Sequence, residues 1–273
     1  MVELYQKVVT NAIFYAFYFL KAISKVTTEV KNGTITSNKI GVIEMANDKV
    51  IGLLGGMGPE ATASLFQKII KQTDANSDQE HFRVIIDSNP KIPDRTQFIL
   101  GEGVDPTPTM TEVAKNLENS GVDIIAIPCM TAHYFREAIQ KDIETPIADA
   151  YQLLNDFLIE NHPEAKTIGI LATSGTRLTK QFEKKLETFK IIYPTMESQK
   201  NEVMEAIYGD EGIKAGYYNE PRQLLQKASE ELIAAGADVI ISGCTEIELA
   251  LKQSDVAVPL VDPMEVMAIN LTK

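Results

Sequence analysis

From residue 49 onward, short aliphatic and β-branched runs alternate with longer segments whose apolar positions recur every three or four residues. The short runs predict buried strands at 49–56, 82–88 and 122–128. The longer segments predict helices at 59–73, 109–120 and 131–141. Pro59 suits the first turn of its helix, and Gly121 suits a helix end. This alternation is typical of a parallel sheet with helices on both faces, an α/β fold.

The pattern occurs twice. KVIGLLGGMGP at 49–59 returns as KTIGILATSGT 117 residues later, and GVDIIAIPC at 121–129 returns as GADVIISGC 115 residues later. TPIAD at 145–149 resembles VPLVD 113 residues later. The order and the nearly constant spacing predict two similar lobes, each a mainly parallel sheet flanked by helices and related by a pseudo-twofold axis. We place lobe 1 at 45–145 and lobe 2 at 146–273, with a C-terminal segment that can cross back to lobe 1.

Residues 1–44 fall outside the repeat. The apolar stretch 11–20 is about half as long as a bilayer span, and it lacks a strong positive flank and a cleavage site. We therefore expect neither a membrane contact nor a signal peptide. Because Met45 stands just before the first strand, we interpret 1–44 as an N-terminal extension that is loosely packed or that precedes the true start of the protein.

Charge and cysteine content narrow the function classes. The net charge of −12 argues against nucleic acid as a partner, since a general nucleic-acid binder needs a basic surface. Two cysteines and three histidines make neither a disulfide framework nor a convincing metal cluster, so no metal is expected. A reducing cytoplasm is the expected location.

The two cysteines, Cys129 and Cys244, occupy equivalent positions of the repeat, where a strand ends and a helix is predicted to begin. A free cysteine is usually a small buried hydrophobe, and the C-x-x-C signature of a redox pair is absent. In an open α/β sheet, ligands bind beyond the carboxyl ends of the strands. A helix N-terminus would lower the pKa of each thiol. Thiols on opposite sides of a substrate suit removal of a proton from one face of a carbon and its return to the other, as in racemisation or epimerisation.

Other polar groups could complete such a site. Arg95, in the proline-punctuated segment 87–97, could clamp a carboxylate, and the glycine-rich turn 55–62 could hold an anion on its amides. Glu246 follows Cys244 closely and could polarise the site, whereas His133, four residues after Cys129, could pair with that thiol but is more readily explained as structural. The same turn also fits a loose G-x-G-x-x-A pattern at Gly56, Gly58 and Ala61, followed by Asp87, which keeps a dinucleotide-dependent oxidoreductase as an alternative.

Six segments together resemble the cofactor-independent aspartate/glutamate racemases: GLLGGMGPEAT, NPKIPDRT, IPCMTAHYF, LATSGT, EGIKAG and SGCTEIEL. The resemblance runs from about residue 49 to the end. It implies two α/β lobes with the site between them, no cofactor, and Cys129 and Cys244 as the acid and base. It also implies a substrate-binding set of Met57, Arg95, Met130, Thr131, Lys214 and Thr245.

One position departs from the family pattern. The first motif usually reads Pro-Cys-Asn-Thr, and here Met130 replaces the asparagine, which puts the substrate in question. The second motif reads Cys-Thr-Glu, which favours the aspartate-type branch. We therefore expect a homodimeric amino-acid racemase acting on aspartate or glutamate. An isomerase of another small acidic compound, an NAD-dependent oxidoreductase and a non-catalytic two-lobe binding protein are the alternatives.

Overall fold

The computed structural model describes residues 49–273, so the interpretation of residues 1–44 lies outside the described part of the chain. The strands are β1 Val50–Gly55, β2 Arg83–Ser88, β3 Ile124–Ala126, β4 Thr167–Leu171, β5 Lys190–Ile192, β6 Val239–Ser242 and β7 Leu260–Val261. The α-helices are α1 Pro59–Gln72, α2 Arg95–Ile99, α3 Thr107–Asn119, α4 Arg136–Gln140, α5 Ala150–Asn161, α6 Ser174–Thr179, α7 Gln181–Lys185, α8 Met196–Ser198, α9 Glu205–Tyr208, α10 Asn219–Ala234, α11 Ile247–Ala250 and α12 Pro263–Leu271. Short 3₁₀ helices occupy Asp78–Glu80, Thr131–Phe135, Ile213–Ala215 and Gln253–Asp255, and a π-helix occupies Gln199–Met204.

The strands form two parallel sheets with matching order, which confirms the predicted fold class. The first sheet runs β2-β1-β3 and the second runs β5-β4-β6-β7. Ile147 adds a parallel bridge beside Ile125, at the place that β7 takes in the second sheet. This pairing shows that the first sheet draws on residues beyond 145, the limit predicted for lobe 1.

The repeated Gly-x-Asp motif has a structural role. Gly121 and Gly236 have φ angles of 78° and 92°, left-handed conformations that terminate α3 and α10 at little steric cost. Asp123 then accepts a hydrogen bond of 2.7 Å from the amide of Val50, at the start of β1. Asp238 accepts bonds of 2.8 Å from Lys166 and Thr167, at the start of β4. Each motif therefore ends one helix and fixes the beginning of the central strand.

A hydrophobic core shared by both sheets joins the two halves of the described region. It contains Ile51 and Leu53 of β1, Ile168 and Ile170 of β4, and Met267 of α12, all buried. Helix α12 packs against both α5 and α1, so the C-terminal helix contacts a helix of the first half. Two further apolar clusters cover the outer faces of the two sheets. Between residues 49 and 273, no helix has the length and apolar character required to cross a membrane.

The segments that follow the cysteines are shorter than predicted. The helix expected at 131–141 is a 3₁₀ helix to Phe135 followed by α4, and only the four residues of α11 are α-helical after Cys244. Neither cysteine directly precedes a long α-helix, so the expected helix-dipole effect on the thiols loses its main structural support.

Candidate active site

A cavity of about 580 Å³ opens beyond the carboxyl ends of the strands, where the sequence predicted a site. The first half of the described chain contributes the glycine-rich turn 56–61 and the loop that carries Asp94 and Arg95. The second half contributes residues 213–216, Glu246 and Leu249. The cavity thus lies between groups from the two repeats and contains both predicted cations, Arg95 and Lys214.

Arg95 is the most conspicuous charged group of this cavity. Its residue is 8% exposed, and its guanidinium donates to the backbone carbonyls of Pro93 at 3.0 Å, Met57 at 3.3 Å and Ile92 at 3.4 Å. Its Nε has no hydrogen-bond partner among the described residues. Burial alone would lower the pKa of Arg95, but the nearby Cys129 and Asp94 raise it. A buried, charged guanidinium with a free donor is a suitable anchor for a carboxylate.

Lys214, Glu246 and Cys244 form a linked chain on the other side. The Cys244 thiol donates to Glu246 Oε2 at 2.9 Å, and Lys214 Nζ pairs with Glu246 Oε1. Burial alone would raise the pKa of Glu246, but Lys214 and the Cys244 hydrogen bond lower it. The carboxylate is therefore charged and has both oxygens engaged.

The predicted lowering of the thiol pKa is wrong for Cys244. Burial and the Glu246 carboxylate raise the pKa of this thiol well above its usual value, and Lys214 only partly opposes them. The dipole of a four-residue helical turn cannot offset the rise in thiol pKa caused by a carboxylate oxygen 2.9 Å from the sulfur. The sequence analysis had named Glu246 as a group that could polarise the site, but it did not predict that this carboxylate raises the pKa of the thiol.

Cys129 lies beside the cationic groups. Burial alone would lower the pKa of both Arg95 and Lys214, and a negative charge on Cys129 raises it, for Lys214 after the larger effects of Glu246 and Cys244. Both cysteines are 6% exposed and are free thiols. They are not themselves among the residues that line the cavity; the charged groups next to them, Arg95, Lys214 and Glu246, are.

The other predicted substrate-binding residues are placed differently. Met57 lines the cavity, whereas Met130 is 1% exposed and its side chain belongs to the shared hydrophobic core. Met130 does not line the cavity, because its apolar side chain packs with the core, and its role in substrate binding stays a prediction. Thr131 and Thr245 are buried and do not line the cavity, and the Thr245 hydroxyl donates to Glu246 at 3.3 Å.

The sequence analysis missed two groups of polar residues. Thr131 contacts Thr173 and Thr176 through hydroxyls at 3.2 Å and 2.8 Å, joining the first cysteine motif to the LATSGT segment. Tyr208 donates to Asp94 at 3.2 Å, and its ring lies 5.4 Å from the Lys214 ammonium. The repeat had drawn attention to LATSGT, but nothing in the chain pointed to Tyr208.

The features that suggested other chemistry have structural explanations. A Cβ atom on Gly56, which has φ of 94°, would come within 2.3 Å of the Asn89 backbone, so close packing of two loops requires this glycine. Asp87 is not among the residues that line the cavity, which leaves the dinucleotide pattern without its acid. Burial lowers the pKa of His133 to about 4, and its Nε2 lies 3.2 Å from the Ile127 carbonyl, as a structural histidine would.

Comparison with known proteins identifies the class. The model of the Asp/Glu/hydantoin racemase family matches residues 54–270. The broad specificity amino-acid racemase RacX of Bacillus subtilis is 28% identical over 229 residues, which cover 80% of this chain and 95% of that protein.

Similar solved structures include racemases of the same kind. The aspartate racemase of Picrophilus torridus has a TM-score of 0.68 at 25% identity, over 82% of this chain and 92% of that one. The glutamate racemase of Francisella tularensis, in complex with D-glutamate, has a TM-score of 0.54 at 15% identity, over 82% and 80% of the two chains, and shares the fold. The two-lobe α/β architecture is thus that of a class of isomerases. The chain belongs to the Asp/Glu/hydantoin racemase family, which confirms the resemblance seen in the sequence.

Proposed function

We propose that this protein is an amino-acid racemase that exchanges the α-proton between Cys129 and Cys244 on opposite faces of the substrate. The observation that carries the proposal is the equivalent placement of the two thiols in the repeat, next to a cavity shared by both halves. In each turnover one thiolate accepts the α-proton while the other thiol protonates the opposite face. This exchange is balanced without a cofactor.

Arg95 would bind the substrate α-carboxylate. Its free Nε and its buried positive charge favour a carboxylate over a neutral group, and the same charge would stabilise the negative charge that develops when the α-proton leaves. The glycine-rich turn lines the same cavity, and its backbone amides other than that of Gly56, which donates to Thr62, would offer further donors. Lys214 would be the second cation near the substrate.

Aspartate or glutamate is the substrate that the sequence favours, and Arg95 and Lys214 together could bind its two carboxylates. The Picrophilus torridus relative, an aspartate racemase, supports this choice. A broader range of amino acids is the second candidate. Lys214 is already paired with Glu246, which weakens its pull on a second carboxylate, and the Bacillus subtilis relative has broad specificity.

Deuterium exchange tests the proposal directly. Each enantiomer of aspartate, glutamate, asparagine, glutamine and lysine is incubated with the protein in heavy water, and Cα deuteration and optical rotation are followed without added cofactor. We expect deuterium at Cα and loss of rotation for at least one amino acid. Cys129→Ala and Cys244→Ala should each lower racemisation by at least about 1000-fold, since each removes one of two required proton carriers.

The outcomes separate the alternatives. A protein that binds amino acids without exchange would be a two-lobe binding protein. Exchange that survives either cysteine substitution at near-normal rate would contradict the two-base mechanism. Strong preference for aspartate and glutamate over their amides would favour the acidic substrate, and equal rates would favour broad specificity.

A further inference from the structure

The repeat places different residues two positions after the equivalent thiols. Cys129 is followed at that position by Thr131, and Cys244 by Glu246. The hydroxyl of Thr131 contacts those of Thr173 and Thr176, so it is engaged with other hydroxyl groups. The carboxylate of Glu246 accepts the hydrogen bond from Cys244. The pseudo-symmetry of the thiols is therefore broken by one charged side chain.

Glu246 is held rigidly in this position. Its residue is 5% exposed, and its two oxygens accept from Cys244 and Thr245 on one side and from Lys214 on the other. The described charged or titratable groups that affect or respond to Cys244 are Glu246, Lys214 and Tyr208. Of these, only Glu246 is a carboxylate, and it makes the direct contact.

The surroundings of Cys129 have the opposite charge. Arg95, a buried guanidinium, and the buried Tyr151 phenol respond to its charge, whereas Lys214 responds more to Cys244 than to Cys129. A cation beside a thiol favours the thiolate, and an anion beside a thiol favours the protonated form. A carboxylate therefore contacts Cys244, whereas a guanidinium lies beside Cys129.

We propose that Glu246 is a positioning residue that keeps Cys244 protonated in the resting enzyme, so that Cys129 is the first base and Cys244 the first acid. This inference rests on the proposed racemase function and adds an assignment of which thiol is the base and which is the acid in the resting enzyme. The hydrogen bond from the Cys244 thiol to Glu246 retains on the sulfur the proton that the substrate carbon will receive. Glu246 itself neither gains nor loses a proton.

The proton balance of one turnover follows. The Cα–H bond of the substrate breaks as an S–H bond forms at Cys129, and the electron pair stays on the carbon beside the carboxylate held by Arg95. The S–H bond of Cys244 then breaks as a new Cα–H bond forms on the opposite face. Cys244 is left as a thiolate beside Glu246, and solvent exchange returns a proton to it while Cys129 loses one. Glu246 favours this return to the starting state.

A cysteine titration tests the inference without reference to activity. Protein labelled with ¹³C at cysteine Cβ gives two signals, because the chain has only two cysteines, and Cys129→Ala or Cys244→Ala assigns them. Glu246→Gln should raise the thiolate fraction of Cys244 at a given pH by about tenfold or more, since a loss of one unit of pKa is a tenfold change. Glu246→Asp, which keeps the charge, should retain most of the wild-type behaviour.

Glu220→Gln, an exposed substitution on α10, is the matched control and should leave both signals unchanged. The Cys129 signal reports whether the site remains folded in each variant. If Cys244 in Glu246→Gln titrates as in the wild type, the inference is overturned, whether or not the protein racemises amino acids. Absence of Cα exchange would instead defeat the proposed function.

Kinetics supply the second readout. The equilibrium constant of racemisation is one, so kcat/KM must be equal for the two enantiomers in every variant, and asymmetry appears only in the separate kcat and KM values. We expect the ratio of the two kcat values to move toward one in Glu246→Gln and to stay unchanged in Glu220→Gln. An unchanged ratio in Glu246→Gln would overturn the assignment of acid and base.

Discussion

At the scale of single residues, Arg95 is a buried guanidinium that leaves one of its hydrogen-bond donors without a protein partner among the described residues. Three backbone carbonyls fix the direction of its guanidinium, and Nε has no partner among residues 49–273. Holding a charged group in a buried position costs free energy unless a ligand of opposite charge compensates for it. This geometry supports the proposal that Arg95 binds an anion.

Arg95→Lys should impair substrate binding severely. Lysine keeps the charge but cannot donate to three carbonyls and a carboxylate in the same plane. We expect kcat/KM to fall by at least about 100-fold, roughly 3 kcal/mol of lost transition-state stabilisation. Steady-state racemisation measures it, with Arg83→Lys on the exposed start of β2 as the control. Activity within about twofold of wild type would contradict the proposed role.

Met130 leads to a different expectation from the one that the sequence raised. Its side chain is in the shared core, and its carbonyl accepts a hydrogen bond of 3.3 Å from the Tyr151 hydroxyl. Met130→Asn should therefore lower the free energy of unfolding by about 2–4 kcal/mol, because it buries an unpartnered amide. Met130→Leu should change it by less than about 1.5 kcal/mol.

Urea denaturation and a substrate panel on both Met130 variants check this prediction. A stable Met130→Asn protein with altered substrate preference would restore the sequence-based interpretation of Met130 as a substrate-binding residue.

At the scale of secondary-structure elements, two equivalent aspartates begin equivalent helices in different electrostatic surroundings. Asp149 accepts from the first amides of α5, and Asp262 does the same for α12. Burial opposes the charge of Asp149, but Arg136 at 3.0 Å and Lys185 at 3.2 Å outweigh it and lower its pKa. Burial and Glu248 raise the pKa of Asp262 to about 7, although Lys68 opposes them.

The two asparagine substitutions should therefore change the free energy of unfolding in opposite directions as pH rises. Asp149→Asn keeps a helix cap but removes a charge that stabilises the fold above the unfolded pKa, about 3.9. We expect a loss on the order of 1 kcal/mol at pH 5–8 that shrinks as pH falls below about 4. The charged form of Asp262 lowers the free energy of unfolding, and this loss grows as pH rises from about 4 through 7. We therefore expect Asp262→Asn to raise the free energy of unfolding by on the order of 1 kcal/mol at pH 8.

Urea denaturation of both asparagine variants and the wild type between pH 3.5 and 8 measures these differences. Parallel pH profiles for the two variants would show that the ion pairs around Asp149 and Lys68 do not control the charge of these caps.

At the scale of the whole described molecule, the shared core makes the two halves one packing unit. Helix α12 packs against both α1 and α5, and its residue Met267 is fully buried among side chains from both sheets. Because the cavity takes residues from both halves, this core also sets the separation of the cavity-lining groups that the two halves contribute.

Met267→Ala should weaken both halves together. Removal of a buried methionine side chain leaves a cavity and should lower the free energy of unfolding by about 2–5 kcal/mol. Hydrogen exchange followed by mass spectrometry should show faster exchange in peptides from β1 and from β4 to a similar extent. Ile159→Ala, at a half-exposed position of α5, is the control. Acceleration confined to the second half would show that the halves unfold independently.

Much of the fold was predictable from residues 49–273 because periodicity is a local property. The positions of β1, β2, β3, α1 and α3 follow from apolar spacing, Pro59 and Gly121, and the repeat predicted two matching sheets. The family and the two thiols were also identifiable from short segments. The helix predicted at 131–141 was too long, because apolar spacing does not distinguish a 3₁₀ segment followed by a short α-helix from one continuous helix.

The electrostatics of the site depended on tertiary structure. Glu246 and Lys214 are 32 residues apart in the chain, and only folding brings them together and places that carboxylate against Cys244. The same is true of Met130, whose burial depends on both sheets, and of Tyr208, which reaches Asp94 from a distant segment. The sequence alone determined the repeated architecture and the two thiols, because these depend on local pattern. Tertiary structure determined the charges that surround each thiol, because the strength of an electrostatic interaction depends on distance and burial.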